Sequence, residues 1–156
     1  MKVNTTSHNI FFVPTILWIA MLFTVFIYNF IIISTVHGLD NINFSIDFSH
    51  EMTTPITAIA FLVLVSSYVL PNFLIKQTLK RFKIKDDHTS LNQILFVPFI
   101  LRLVMLESIA IFGFVLSIIQ KNGSIFYFSF IAIVGFLFNF PTEKKWINWI
   151  RKNKLI

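Results

Sequence analysis

The chain is poor in charge and in glycine, and it lacks the residue that builds covalent cross-links. It has 156 residues and no cysteine, which excludes a disulfide scaffold and a thiolate metal site. Charged residues make up 13% of the chain, about half of their usual share in a soluble domain. Apolar residues make up 56%, and the mean hydropathy is +0.77. This composition excludes a soluble globular enzyme and a disordered chain, and it indicates a small membrane protein.

Four long apolar blocks account for most of the chain and predict an all-α, polytopic membrane domain. A membrane-spanning helix needs about 20 mostly apolar residues, and blocks that are apolar on every side are typical of helices in lipid. The predicted transmembrane helices are 10–34, 54–75, 94–119 and 125–140. The fourth block is the shortest, with 16 residues, or about 24 Å of helix. The predicted connections are an outer loop at 35–53, a cytoplasmic loop at 76–93 and a cytoplasmic tail at 141–156.

The distribution of Lys and Arg predicts the orientation of these helices. Eleven cationic residues lie before the first block, between the second and third blocks, or after the fourth. Only Lys121 lies in a connection on the opposite side. Because Lys and Arg are enriched in cytoplasmic connections, we expect an inner-membrane protein with both termini in the cytoplasm. The first block is too long for the core of a cleavable signal peptide, so we expect it to be retained.

Two basic segments, 76–85 and 144–154, interleave their cations with apolar residues. This pattern is typical of segments on an anionic lipid surface, so the expected partner is the lipid bilayer and not nucleic acid. The sequence has no Gly-rich phosphate loop and no nucleophile–base pattern, so neither an enzyme nor a cofactor is expected. Five potential metal ligands in the outer loop lack the close spacing of a zinc site, and no metal is expected. These residues are His37, Asp40, Asp47, His50 and Glu51.

The first and third blocks contain a repeated segment. Residues 12–22 align with residues 96–106, and seven of the eleven positions are identical. The identical positions include a methionine and the prolines Pro14 and Pro98. The repeat predicts a duplicated helical hairpin whose two copies have the same orientation, unlike the inverted repeats of many transporters. Each proline is expected one to two turns inside the cytoplasmic end of its helix, either as a helix-start proline near the interface or as a kink whose freed carbonyl is satisfied by neighbours.

The third block carries both of the charges that fall inside the apolar blocks, Arg102 and Glu107. Glu107 is near the middle of its block, where an ionised carboxylate costs about 2.5 kcal/mol or more. The neutral acid is therefore favoured. Five residues correspond to about 140° around a helix, so Arg102 and Glu107 are expected to face different neighbours. Arg102 is expected to extend toward the cytoplasmic surface, at the depth of Asn139, and this pair would give polar support inside the membrane.

Two roles for Glu107 remain open. Intramembrane carboxyls usually face a bundle interior or a wet cavity, and they are functional candidates. Ser66 and Ser67 lie near the centre of the second block, and Thr24 lies at a similar depth in the first. In one role, a neutral Glu107 links helices through such hydroxyls. In the other role, Glu107 binds a proton or a cation, with Ser66 and Ser67 as candidate members of the site.

The residues around Glu107 resemble two groups of membrane proteins. The run Leu-Glu-Ser-Ile-Ala-Ile-Phe-Gly at 106–113 is similar to the carboxylate helix of rotary ATPase proteolipids (c subunits), in which a Glu beside small residues carries the ion. This resemblance implies an ion-binding role for Glu107. The run from Arg102 to Glu107, with the fourth block and Pro-Thr-Glu-Lys at 141–144, resembles uncharacterised four-helix bacterial inner-membrane proteins. Their third helix carries Arg-x-Ala-Leu-x-Glu; this resemblance covers about 94–145 and implies no activity.

The chain departs from the proteolipid pattern in two ways. It has only four glycines, whereas proteolipids pack through a glycine-repeat helix, and its carboxylate is on the first rather than the second helix of a hairpin. A tightly packed rotor ring is therefore not expected. The expected function is a structural or interaction subunit of a membrane assembly, with copies of itself or other membrane subunits as partners. The alternative is a proton- or cation-translocating protein that uses Glu107.

Overall fold

The computed structural model describes residues 7–36, 46, 48–49, 51–85, 91–142 and 144–145. The long helices in this part of the chain are α1 (Ser7–Val36), α2 (Thr53–Lys85), α3 (Leu91–Gln120) and α4 (Ile125–Phe138), and the described residues form no strand. The all-helical prediction is therefore confirmed for the described residues. Three helices contain segments long and apolar enough to cross a membrane, namely Phe12–Thr35, Thr53–Thr78 and Phe96–Gln120. The fourth helix has only 14 residues, or about 21 Å.

Helices α2 and α3 extend beyond the apolar blocks that predicted them. Helix α2 continues through the basic segment to Lys85, and α3 begins at Leu91. Most of the segment 76–93, expected as a loop, is therefore helical. Hydropathy marks only the apolar part of a helix, whereas Lys, Arg, Gln and Leu are strong helix formers that continue it into a polar environment.

Helix α3 is the central element of the fold. It packs against α1, α2 and α4, and α1 also packs against α4. The buried hydrophobic core residues of α3 recur at helical spacing, and they are Leu103, Leu106, Ile109, Ala110 and Leu116. The core is completed from α1 by Trp18 and Val25, from α2 by Ala60, and from α4 by Phe128, Ala132 and Phe136. Because α3 has neighbours on several sides, the face on which one of its residues lies decides which helix that residue contacts.

Two glycines allow α3 and α4 to approach closely. A Cβ atom on Gly113 would lie 2.5 Å from the Cβ of Phe128, and one on Gly135 would lie 2.5 Å from Cδ2 of Leu106. Small residues at a helix contact let the two backbones come together. The chain has few glycines, but half of them lie at this one contact.

Polar contacts join the helix ends near the connection between α3 and α4. The backbone N–H of Ile125, the first residue of α4, donates to the hydroxyl of Ser117 at 2.6 Å. Gln120, the last residue of α3, donates its side-chain amide to the hydroxyl of Thr53, the first residue of α2. The start of α2 therefore lies beside the end of α3, and the two helices are antiparallel.

Helices α1 and α3 have the same length and the same proline position. Each has 30 residues, and Pro14 and Pro98 each stand at the eighth position. Both prolines lie beyond the first turn and not at the helix start, so each removes the donor for the carbonyl four residues earlier. The likeness between the two helices thus extends beyond the aligned segment 12–22.

Candidate functional site

The carboxyl group of Glu107 binds side chains of α1. Its Oε1 atom lies 2.6 Å from Oγ1 of Thr24 and accepts a longer hydrogen bond, of 3.4 Å, from the hydroxyl of Tyr28. Residues four apart lie on one face of a helix, so Thr24 and Tyr28 present adjacent hydroxyls to α3. The Tyr28 ring also packs against Phe114, with 5.4 Å between the ring centroids. The two helices are thus joined by a polar contact supported by an aromatic one.

The hydroxyl of Thr24 lies between two oxygen atoms. It is 2.7 Å from the carbonyl oxygen of Met21 in its own helix and 2.6 Å from the Glu107 carboxyl. A threonine hydroxyl has one proton to donate, and a backbone carbonyl can only accept. One hydroxyl proton cannot make two linear hydrogen bonds, so either the two oxygens share the Thr24 proton or the Glu107 carboxyl donates a proton of its own.

The hydroxyls of Ser66 and Ser67 are not partners of Glu107 in the described structure. The Ser67 hydroxyl donates to the carbonyl of Leu64 in its own helix at 2.7 Å, and Ser66 is half-buried without a bond to the carboxyl. Both serines lie on α2, whereas Glu107 faces α1. The depth of a residue along a helix predicts which residues lie level with it, but not the helix that its side chain faces.

Arg102 binds α2 and the end of α4. Its Nη1 atom donates to Oδ1 of Asn139 at 2.9 Å, and its Nη2 atom lies 3.5 Å from Oδ1 of Asn72. The guanidinium carbon lies 5.7 Å from the centre of the Tyr68 ring, within the range of a cation–π contact. The structure thus brings Arg102 and Asn139 together. Arg102 and Glu107 bind different neighbours, as their separation of about 140° around the helix predicts.

A third hydrogen bond of Arg102 compensates for a proline in α2. The Nε atom donates to the backbone carbonyl of Ser67 at 3.2 Å. In a regular helix this carbonyl accepts the N–H of the residue four positions later. That residue is Pro71, which lies inside α2 and has no N–H. In membrane helices such a freed carbonyl needs a donor from a neighbouring helix, and Arg102 provides it.

The C-terminal carbonyls of α4 are also satisfied from neighbouring groups. The indole N–H of Trp18 donates to the carbonyl of Phe136 at 2.8 Å. The side-chain amide of Asn139 donates to the carbonyl of Gly135 at 2.7 Å, and its backbone N–H donates to both carbonyls. The last carbonyls of a helix have no partners within it. These bonds allow α4 to end after only 14 residues among apolar side chains.

Sequence reasoning missed Trp18, Tyr28 and Pro71. The sequence carries a signal for two of them: Tyr28 follows Thr24 by one helical turn, and Pro71 frees the carbonyl of Ser67, four residues earlier. Of the potential ligands in the outer loop, only Glu51 lies within the described residues, and it is exposed. The part of the chain that the structure describes contains no group of three His, Cys, Asp or Glu that could hold a metal ion.

Apolar helices joined by a few buried polar contacts are the features of a helical membrane protein. Comparison with known proteins finds no family model, no curated protein and no solved structure that matches this chain. The resemblances to proteolipids and to four-helix inner-membrane proteins therefore stay predictions.

Proposed function

We propose that this chain is a four-span inner-membrane protein that acts as a structural or interaction subunit of a membrane assembly. In this proposal α4 is the fourth span, and both termini lie in the cytoplasm. The short length of α4 is compatible with a span because its terminal carbonyls have donors. The cation distribution supports the orientation, since eleven of the cations would be cytoplasmic and only Lys121 would be outside.

The proposal includes a parallel duplication of a helical hairpin. Trp18 and Arg102 occupy equivalent positions in the aligned repeat. Trp18 donates to the carbonyl of Phe136, and Arg102 donates to Asn139, so both bind the C-terminal end of α4. Equivalent residues of the two long helices thus hold one short helix between them, which supports a common origin of α1 and α3.

The contact between Glu107 and Thr24 carries the proposal. When Thr24 donates its proton to the Met21 carbonyl, a neutral Glu107 carboxyl can donate its own proton to the Thr24 oxygen. Both short distances, 2.7 Å and 2.6 Å, are then hydrogen bonds. With an ionised Glu107 the two oxygens would have to share the single proton of Thr24, which weakens both bonds. We therefore assign Glu107 as a neutral acid that links α3 to α1.

Other polar side chains of the apolar helices also form hydrogen bonds from one helix to another. Asn29 of α1 donates to the hydroxyl of Ser129 in α4 at 2.9 Å. The bond from Trp18 joins α1 to α4, and the bonds from Arg102 join α3 to α2 and to the residue after α4. Polar groups that hold helices together are typical of a structural role.

A proton or cation site is the second candidate, and one observation favours it. Three oxygens meet at this point, from the carboxyl of Glu107 and the hydroxyls of Thr24 and Tyr28. Hard cations take six or more oxygens, so three would suit a proton better than a metal ion. A transported proton would need Glu107 to release it, whereas a structural link would keep it.

Flux measurements on vesicles containing the full chain separate the two candidates. We expect wild-type protein and Glu107→Gln to fold alike and to pass protons no faster than empty vesicles, because an amide preserves the hydrogen-bonding shape of the neutral acid. Glu107→Leu should weaken helix packing by about 0.6–1.7 kcal/mol. A proton flux in the wild type that disappears in a folded Glu107→Gln variant would contradict the structural role.

A further inference from the structure

Helix α4 is shorter than the hydrocarbon layer that it would cross as the fourth span. It has 14 residues, or about 21 Å of helix, whereas the hydrocarbon layer of a typical bilayer is about 30 Å thick. The apolar segments of α1, α2 and α3 have 24, 26 and 25 residues, which is enough to cross such a layer. The side of the molecule formed by α4 therefore offers lipid a shorter apolar surface than the other sides do.

The helices are level at the end that is proposed to face outward. Gln120, the last residue of α3, donates to the hydroxyl of Thr53, the first residue of α2. The backbone N–H of Ile125, the first residue of α4, donates to Ser117 in the last turn of α3. The start of α4 thus lies beside the ends of its neighbours, and the difference in length falls at its other end.

At the proposed cytoplasmic end, α1 and α3 continue past α4. Trp18 of α1 and Arg102 of α3 donate hydrogen bonds to the last residues of α4 and the residue after it. The apolar segments of α1 and α3 begin six residues before these donors, at Phe12 and Phe96. Six residues correspond to about 9 Å of helix. The apolar surface beside α4 therefore ends about 9 Å deeper than the apolar surfaces of α1 and α3.

The chain that follows α4 does not extend its apolar length. The ring of Phe140 packs edge-on against Trp18, with 4.9 Å between the ring centroids. The ammonium group of the exposed Lys145 donates to the carbonyl of Phe138 at 3.0 Å. The chain has thus turned back and placed a cation at the last turn of α4. Cationic side chains lie at the level of the lipid headgroups and not in hydrocarbon, so this contact marks where the hydrocarbon beside α4 ends.

The outward face of α4 is apolar up to this cation. Its other face packs against α1 and α3, and large exposed side chains cover the outward one, among them Phe130, Leu137 and Phe138. Acyl chains are the environment that suits such side chains. The exposed surface of α4 therefore matches a thin hydrocarbon layer bounded by headgroups at Lys145.

We propose that the bilayer is locally thin beside α4, with the headgroups of the cytoplasmic leaflet about 9 Å deeper there than beside the long helices. A bilayer thins around a helix that is too short for it, unless flanking side chains extend to the surface. The Lys145 ammonium does not extend away, because it is bound to the end of α4 itself. The inference rests on the proposal that α4 is the fourth span, and it is independent of the role of Glu107.

Spin labels on single introduced cysteines test the local thickness in vesicles that contain the full chain. Phe138→Cys probes the end of α4. Val69→Cys is the matched control, because Val69 is two residues from Ser67, whose carbonyl binds Arg102 at the same level. Both positions are exposed, with 73% and 60% of the side-chain surface accessible. Val97→Cys, exposed on α3 and about 7.5 Å nearer the cytoplasm than Arg102, is the reference for the interface.

Collisions of each label with oxygen and with a water-soluble nickel complex distinguish hydrocarbon from the headgroup region. We expect the nickel accessibility at Phe138→Cys to equal that at Val97→Cys and to exceed that at Val69→Cys. The excess should decrease in vesicles made from lipids with shorter acyl chains, because a thin bilayer matches α4 without distortion.

Four results would overturn the inference. Equal nickel accessibility at Phe138→Cys and Val69→Cys would show a bilayer of uniform thickness. Low accessibility of Phe138→Cys to both reagents would show that a second copy of the chain covers α4. An excess that does not depend on acyl-chain length would indicate a water-filled crevice. Reaction of both Glu51→Cys and Lys144→Cys with an impermeant thiol reagent in intact cells would overturn the fourth span itself, and the inference with it.

Discussion

Arg102 of α3 donates a hydrogen bond from Nε to the backbone carbonyl of Ser67 in α2, over 3.2 Å. This carbonyl has no donor within its own helix because Pro71 stands four residues later. The Arg102 side chain thus supplies the hydrogen bond that the proline removes from α2. A proline in one helix and a cation in another, which look unrelated in the sequence, form one structural unit.

This unit predicts that the effect of removing Arg102 depends on Pro71. Arg102→Met should destabilise the fold by about 1.5–3 kcal/mol, because hydrogen bonds to a charged group are lost. In a Pro71→Ala background, the introduced alanine supplies a backbone N–H to the Ser67 carbonyl, and the same change should cost about 1 kcal/mol less. The measurement is unfolding in mixed micelles with increasing dodecyl sulfate. Pro14→Ala is the control background, and there the cost of Arg102→Met should be unchanged; equal costs in all three backgrounds would argue against the unit.

The contact between α3 and α4 predicts an order for two glycine variants. Gly113→Ala places its Cβ 2.5 Å from the Cβ of Phe128, which is held near the backbone, and 3.2 Å from the Cα of Ile125. Gly135→Ala meets the end of the Leu106 side chain, which can rotate away. Overpacking costs about 1–3 kcal/mol, and we expect Gly113→Ala near the upper value and Gly135→Ala near the lower. The same unfolding assay measures both, and a reversed order would contradict the described packing.

The proposed orientation predicts which positions react with an impermeant thiol reagent. Because the chain has no cysteine, the reagent labels only the single cysteine that is introduced. Glu51→Cys, at an exposed position before α2, should react in intact cells, and Lys144→Cys, at an exposed position after α4, should react only after the membrane is opened. Ser124 is unsuitable as a probe because it is buried. Labelling of Lys144→Cys in intact cells would reverse the orientation.

Much of the fold could be predicted from hydropathy alone, because lipid requires long apolar segments whose backbone bonds are satisfied internally. The start of α4 at Ile125 agrees with its predicted start, whereas α2 extends to Lys85 because polar helix formers continue it. The pairing of helices could not be predicted. Apolar side chains cover every face of these helices, so hydropathy does not show which faces meet; Gly113 and Gly135 mark only the contact between α3 and α4.

The residues at the centre of the candidate site could be predicted from the sequence, but most of the side chains that they contact could not. Glu107 and Arg102 stand out in the sequence because a charge inside an apolar block is rare and costs free energy in the membrane. The partners of Glu107 depend on the rotation of α3 relative to α1, which places Thr24 and not Ser67 beside the carboxyl. The role of Pro71 required knowledge of which side chain reaches the freed carbonyl.

The central claim, that Glu107 is a neutral acid linking α3 to α1, is tested most directly by infrared difference spectroscopy of wild-type protein against Glu107→Gln in lipid vesicles. A neutral carboxyl gives a C=O stretching band that an ionised one lacks, and its frequency falls when the group donates a hydrogen bond. We predict a band that is present at neutral pH, is unaffected by added cations, and shifts in Thr24→Val, which removes the acceptor. The absence of this band at neutral pH, or its disappearance on addition of a cation, would contradict the structural role and assign Glu107 to an exchanging ion site.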